Sequence, residues 1–290
     1  MRWLVVGANG MLGQDLVRLL QERGEAVRTA DRSASGVTDV LDITDARACV
    51  DVVTDVDVVV NCAAYTAVDD AEQHEATAFA VNAVGAGNLA RAASRSGARI
   101  VQISTDYVFD GASETPYAED GALAPQSAYG RTKGAGEWAV RAECPDHLIV
   151  RTAWLYGAAG ACFPKTIARI AAERGGLDVI DDQVGQPTWT SDLADLILRL
   201  VAARVPSGIY HGTSSGAVSW HGFAQAIVAS AGLDPQIVRP TTSAQFVRPA
   251  PRPAYSVLGH DALERVAVAP IGSWAERWAL ASGSVLGALV

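Results

Sequence analysis

The chain has 290 residues, 49% hydrophobic and 19% charged, a composition that suits a soluble globular protein of one large domain or two closely joined ones. Its formal charge of −9 argues against nucleic acid or an anionic membrane as partner, since both recruit net-basic surfaces. No apolar run approaches the roughly 20 residues of a membrane span, and the first apolar stretch runs into glycines without a cleavage-like signal, so a cytoplasmic protein is expected.

Residues 3–6 read as a first strand, and residues 11–23 place Leu12, Leu16, Leu19 and Leu20 at helical spacing before stopping at Gly24. Between them stands Gly7-Ala8-Asn9-Gly10-Met11-Leu12-Gly13. Glycines at such a strand-to-helix turn let the backbone approach a pyrophosphate and let the helix pack tightly, while the free amides and dipole of the helix N-terminus favour an anion. A glycine-rich turn without a ligand is the plainer alternative. Residues 27–30 read as a second strand leading to Asp31 and Arg32. An acid there grips the 2′-hydroxyl of NAD and an arginine suits the 2′-phosphate of NADP, so both cofactors stay open. Asp42 and Ile43 precede a helix over 45–53, where Thr44 or Asp45 serves equally as an N-cap.

Residues 57–62 read as a strand buried on both faces, 72–96 as one long helix, 99–104 as a strand and 126–143 as a helix, followed by a strand at 147–152. This alternation is the pattern of βαβ units around a parallel sheet. After Tyr156 the pattern becomes mixed, although 192–203 keeps helical spacing and 208–211 reads as one more strand. The fold class expected is therefore α/β, a Rossmann-type doubly wound sheet over 1–155 with segments near 190–215 returning to it. A smaller substrate lobe takes most of 156–290. Cys49, Cys62, Cys144 and Cys162 have no paired spacing, which suggests neither a zinc site nor a disulfide framework.

Chemistry concentrates in two places. Tyr129 and Lys133 are four residues apart on a predicted helix and hence on one face, where an ammonium would lower the phenol pKa and equip it for acid–base work. The strand at 99–104 runs into Ser104-Thr105-Asp106-Tyr107, which puts hydroxyls at the carboxyl end of a parallel strand, where open α/β sheets bind ligands. Gly134 and Gly136 are poor helix formers beside Lys133 and weaken the helix expectation there.

The segments GANGMLG, VLDITD, VNCAAYTAVDDAE, STDYVFDG, SAYGRTKGAGE, RTAWLYG, DDQVGQPTWTSDLA and RPAYSVLG together cover most of the chain and resemble the extended short-chain dehydrogenases/reductases, within them the 4-ketoreductases of dTDP-linked sugars. The resemblance implies reduction of dTDP-4-dehydro-L-rhamnose to dTDP-L-rhamnose with NADPH or NADH as hydride source. It assigns Gly10, Met11 and Leu12 to the cofactor phosphates, Asp42 and Ile43 to the adenine, and Ala63, Ala64, Tyr65 and Thr66 to the cofactor beyond the strand. Tyr129 would donate the proton with Lys133 as its partner, and Thr105 would orient the keto oxygen. Asp106, Tyr107 and Trp154 would shape the sugar pocket, and Arg248 and Arg252 are candidates for the dTDP diphosphate. Asp15 stands where some members carry a glutamate that helps bind magnesium at a dimer interface. An exposed helix carboxylate is the simpler reading, so no metal ligands are assigned, and monomer and homodimer stay open. A ketoreductase of another dTDP-deoxysugar and a non-catalytic regulatory subunit of the same fold are the two alternatives.

Overall fold

Strand β1, Arg2–Val6, shows why the chain forms layers. Its Trp3 and Val5 join one apolar core while Leu4 and Val6 join another, so successive side chains feed opposite faces of a sheet. The computed structural model describes residues 1–287; the last three residues of the lobe expected over 156–290 lie outside the described residues. Strands β2 (Ala26–Asp31), β3 (Asp39–Val40), β4 (Val58–Asn61), β5 (Arg99–Thr105), β6 (His147–Thr152) and β7 (Gly208–His211) complete a seven-stranded sheet. Its order is β7-β6-β5-β4-β1-β2-β3, and every pairing is parallel, as the doubly wound expectation requires. The order reverses between β1 and β4, which opens the ligand crevice of such sheets at the ends of these two strands.

Helices cover both faces. α1, Met11–Glu22, turns its buried Leu12, Leu16 and Leu20 onto the first core. The second core lies under α2, Ala46–Val52, α3, Ala86–Ser96, and α4, Ala128–Glu143. α4 starts cleanly because Ser127 Oγ accepts the Gly130 amide at 3.1 Å and the Glu72 carboxylate accepts the Ala128 amide at 2.7 Å.

The single long helix expected over 72–96 is a correction. A short helix, Glu75–Phe79, is followed by a π-helical stretch, Ala80–Gly85, before α3 begins. The wider turn aims Asn82 at the segment after β4. Its Oδ1 accepts the Tyr65 amide at 2.8 Å, and its Nδ2 donates to the Tyr65 carbonyl at 3.2 Å and to Thr132 Oγ1 at 3.1 Å. Nor do Gly134 and Gly136 weaken α4, which continues unbroken. At Gly136 a Cβ would lie 2.1 Å from the Asn82 carbonyl oxygen, so the missing side chain is what lets α4 meet the π stretch.

Beyond β6, helices α5 (Phe163–Arg174), α6 (Thr190–Ala202), α7 (Trp220–Ser230) and α8 (Trp274–Leu286) alternate with two-stranded pieces such as Leu177–Ile180 beside Val238–Thr241. α6 packs on the sheet through Leu193, Leu196, Ile197 and Leu200. A separate core forms around Tyr156, Ile167, Phe223 and Trp278, with the Phe223 and Trp278 rings edge to face at 5.4 Å. Among the described residues, no helix is long and apolar enough to cross a membrane.

Candidate active site

At the end of β1 the chain turns through Gly7 with φ +78°, and a Cβ there would lie 2.6 Å from the Ala63 amide nitrogen. One turn into α1, a Cβ on Gly13 would lie 2.2 Å from the Gly7 carbonyl oxygen. Both contacts are with backbone, which cannot retreat as a side-chain tip can, so this close-packed turn admits only glycine at both positions. Gly10 is the N-cap of α1 and provides no side-chain cap, and the first turn carries no acidic residue. The first-turn amides have no acceptor within the helix and open, with the positive end of the dipole, on the crevice.

The neighbouring strand ends are tied to this turn. Asp31 Oδ2 accepts the Asn9 amide at 3.1 Å and its Oδ1 accepts the Ser33 amide at 3.1 Å, while Arg32 is exposed beside it. Asp42 accepts the Thr44 amide at 2.9 Å and the Thr44 hydroxyl at 2.7 Å, which hold its carboxyl below the usual range. Asp45 then caps α2 by accepting the Arg47 and Ala48 amides at 2.9 and 3.0 Å. The acidic run thus divides its work: Asp45 is the cap and Asp42 shapes the turn before it.

A cleft of about 800 Å³ runs along the carboxyl ends of the strands. The residues assigned to the cofactor between Gly7 and Thr66 line it, whereas Ala8 and Asp15 do not, and Thr105, Asp106, Tyr107, Tyr129, Lys133 and Trp154 line it too. The Tyr107 and Tyr129 rings meet edge to face at 5.6 Å. Thr105 Oγ1 donates to Asp106 Oδ1 at 2.9 Å, and Asp106 Oδ2 is buried without a partner. Burial raises the Asp106 carboxyl to about 6. Trp154 takes φ +48° and stacks on Trp220 with ring centroids 3.4 Å apart, half-buried at the cleft wall.

The electrostatics of the Tyr/Lys pair depart from the expectation. Lys133 Nζ donates to the Ile103 carbonyl at 2.6 Å, and its buried ammonium is pushed down to about 8. The Tyr129 phenol is not lowered by it. Burial pushes the phenol up to about 12, with the Thr105 hydroxyl offsetting part of the rise. Desolvation of the phenolate is the largest cause, and the hydrogen bond of Lys133 goes to the Ile103 carbonyl.

Arg248 and Arg252 lie outside the cleft lining. Arg252 pairs with Asp69 at 2.9 Å and donates to the Ala250 carbonyl at 2.9 Å, while Arg248 is exposed, 3.9 Å from Asp69. Asp15 accepts from Thr190 Oγ1 at 2.6 Å and from Arg18 at 3.3 Å. Among the described residues, no three His, Cys, Asp or Glu side chains cluster to hold a metal ion. Sequence reasoning missed Asn82, and it also missed the buried Glu137–Arg151 pair behind the cleft. A signal for the pair was present: Arg151 interrupts an apolar strand, and Glu137 follows Lys133 by one helical turn.

A family model described as the RmlD substrate binding domain matches residues 1–282. A dTDP-4-dehydrorhamnose reductase of Streptomyces griseus is 48% identical over 280 residues, covering 94% of this chain and 90% of the relative. A probable dTDP-4,6-dihydroxy-2-methyloxan-3-one 4-ketoreductase of Streptomyces antibioticus is 48% identical over 279 residues, covering 94% of this chain and 92% of the relative. The crystal structure of a dTDP-4-dehydrorhamnose reductase of Bacillus anthracis in complex with NADP superimposes with a TM-score of 0.91 at 36% identity, over 97% of this chain and 98% of that one. Fold and sequence agree across nearly the whole length, and the chain belongs to the RmlD substrate binding domain family.

Proposed function

We propose that this chain is a reductase of dTDP-linked 4-keto-6-deoxysugars that takes hydride from NADPH, with dTDP-4-dehydro-L-rhamnose as substrate and Tyr129 as proton donor. The observation that carries the proposal is one cleft holding both the glycine turn and Thr105, Tyr129 and Lys133. The fit to a dinucleotide rests on the side-chain-free cradle at Gly7 and Gly13 and on the uncapped start of α1. Exposed Arg32 beside the Asp31 carboxylate is a group suited to a 2′-phosphate.

When bound, the nicotinamide supplies the hydride. Gly10, Met11 and Leu12 offer amides to the phosphates, Asp42 and Ile43 flank the adenine, and Ala63 to Thr66 line the far side. The Asn82 amide holds the Tyr65 backbone in place. A phenol that stays protonated at working pH carries the proton that the forming alkoxide needs. Lys133 serves the ribose and steadies the phenolate that remains after transfer. Thr105 orients the keto oxygen, and Tyr107 and Trp154 bound the sugar. Arg252, held by Asp69, is the arginine better fixed to meet a diphosphate.

Tyr129→Phe tests this reading. It keeps the ring and is expected to leave NADPH affinity unchanged while single-turnover hydride transfer falls by about 10²- to 10⁴-fold. Transfer at the wild-type rate would place the proton source elsewhere. The Streptomyces antibioticus relative favours a second reading, reduction of a different dTDP-deoxysugar. NMR of the products from both substrates separates the two.

A further inference from the structure

Tyr129 and Lys133 occupy successive turns of one face of α4, and Glu137 is the next residue on that face. Its side chain is 2% exposed and meets Arg151 of β6, which is 1% exposed. Arg151 Nε donates to Glu137 Oε1 at 2.9 Å and its NH2 group donates to Oε2 at 2.8 Å. Ser104 Oγ of β5 donates to the same Oε1 at 2.5 Å. The guanidinium is held further by the Glu119 carbonyl at 3.0 Å and by the Phe109 ring at 5.0 Å. Ser104 and Arg151 are register partners, and each immediately precedes a threonine of the cleft wall, Thr105 and Thr152.

We infer that Glu137 is a positioning residue for the proposed reduction: through Ser104 and Arg151 it ties the Tyr129–Lys133 face of α4 to the strand end that carries Thr105. The inference rests on the reductase reading. Net stability alone does not account for such a pair, because desolvating two charges offsets most of their attraction and apolar isosteres commonly serve as well. What apolar groups cannot supply is a bidentate, directional tie among three elements. The carboxylate also supports the Lys133 ammonium against its burial. The ionisable groups facing Lys133 are Glu137 on its own helix and Cys62 at the end of β4. On the far side of the pair, His211 of β7 lies 3.5 Å from Arg151 and is kept neutral by burial.

The test compares wild type, Glu137→Gln and the double variant Glu137→Met/Arg151→Met. Thermal melting, NADPH affinity, and turnover of dTDP-4-dehydro-L-rhamnose across pH are measured on each. Lys133 and Lys165 are the two lysines of the chain, so ¹³C-lysine NMR follows the Lys133 titration without substrate. Glu137→Gln is expected to melt earlier because Arg151 loses its counter-charge, and the double variant to regain most of that loss. The double variant should bind NADPH normally, yet its kcat should fall about tenfold with KM little changed. Its alkaline limb and its Lys133 titration should both move down by about one pH unit. A double variant with wild-type kcat and an unmoved Lys133 titration overturns the inference and leaves the pair structural. A wild type that oxidises no NADPH with the keto-sugar refutes the reductase reading instead, while the Lys133 titration still judges the electrostatic half of the brace.

Discussion

Lys133→Met separates what this site does for function from what it costs the fold. Lys133 is 4% exposed, and burial lowers its ammonium from an ordinary 10.5 to about 8. At pH 7 the lysine is protonated in both folded and unfolded chains, so the folded state carries the penalty, about 3 kcal/mol for a shift of this size. Methionine keeps the unbranched stem without the charge. The lost bond to Ile103 leaves no orphan, because Gln102 Nε2 also donates to that carbonyl at 2.9 Å. The variant should therefore be more stable than wild type by about 2 kcal/mol at pH 7, which for a chain of this size is about 4 °C in Tm. Above pH 8 the folded wild type sheds its proton while the unfolded chain keeps one until about 10.5, so the unfolded state binds more protons and wild-type stability rises with pH relative to the variant. The advantage of the variant should shrink by about 2 kcal/mol, to near zero, by pH 9.5. Calorimetry at several pH values from 6.5 to 9.5, run beside turnover and NADPH titration, checks both halves. A variant less stable than wild type at pH 7, or a difference that ignores pH, would refute the argument from burial.

Gly10→Ala and Gly13→Ala should part company. A Cβ at Gly13 meets backbone at 2.2 Å and should cost the fold about 2 kcal/mol or more, whereas at Gly10 the approach is 3.2 Å, so that variant should fold and lose mainly NADPH affinity. Thermal melts with cofactor fluorescence titration distinguish them. Trp154→Ala should raise KM for the keto-sugar severalfold with NADPH binding intact. It should also lower Tm by a few degrees, because Trp220 loses the ring stacked on it; equal loss of both ligands would mark Trp154 as core alone.

How much of this was legible in the sequence follows from the length scale of each signal. Strands β1, β4, β5 and β6 announced themselves because they are buried on both faces and bounded by turns, and α1 because its leucines keep one stripe. The two-stranded pieces of the lobe did not. Leu177–Ile180 pairs with Val238–Thr241 across some sixty residues, and four residues are too few for a period to register. The π stretch was hidden for another reason: Ala80–Gly85 has ordinary helical composition, and what widens the turn is a contact between Asn82 and a loop elsewhere in the chain.

The same reasoning explains why the Tyr/Lys pair was visible while its electrostatics were not. Spacing of four fixes which face a side chain occupies, and it correctly brought Tyr129 and Lys133 into one cleft with Thr105. A pKa depends instead on what each polar atom finds at the end of its reach. Lys133 finds the Ile103 carbonyl, Thr105 finds Asp106, and at the phenol burial outweighs what the Thr105 hydroxyl offsets. These partners lie in β5 or the residue just after it, distant from α4 in sequence but adjacent to it in the fold. The face of α4 therefore has to be followed one turn further, to Glu137, before the electrostatics become intelligible. There a fully buried carboxylate joins helix and strands, and the polar residues that interrupt β5 and β6, Ser104 and Arg151, acquire a physical reason. A charge inside an apolar strand is costly unless it is paired, so Arg151 in His147–Thr152 already implied a buried acid nearby, and the helix period pointed to the residue that supplies it.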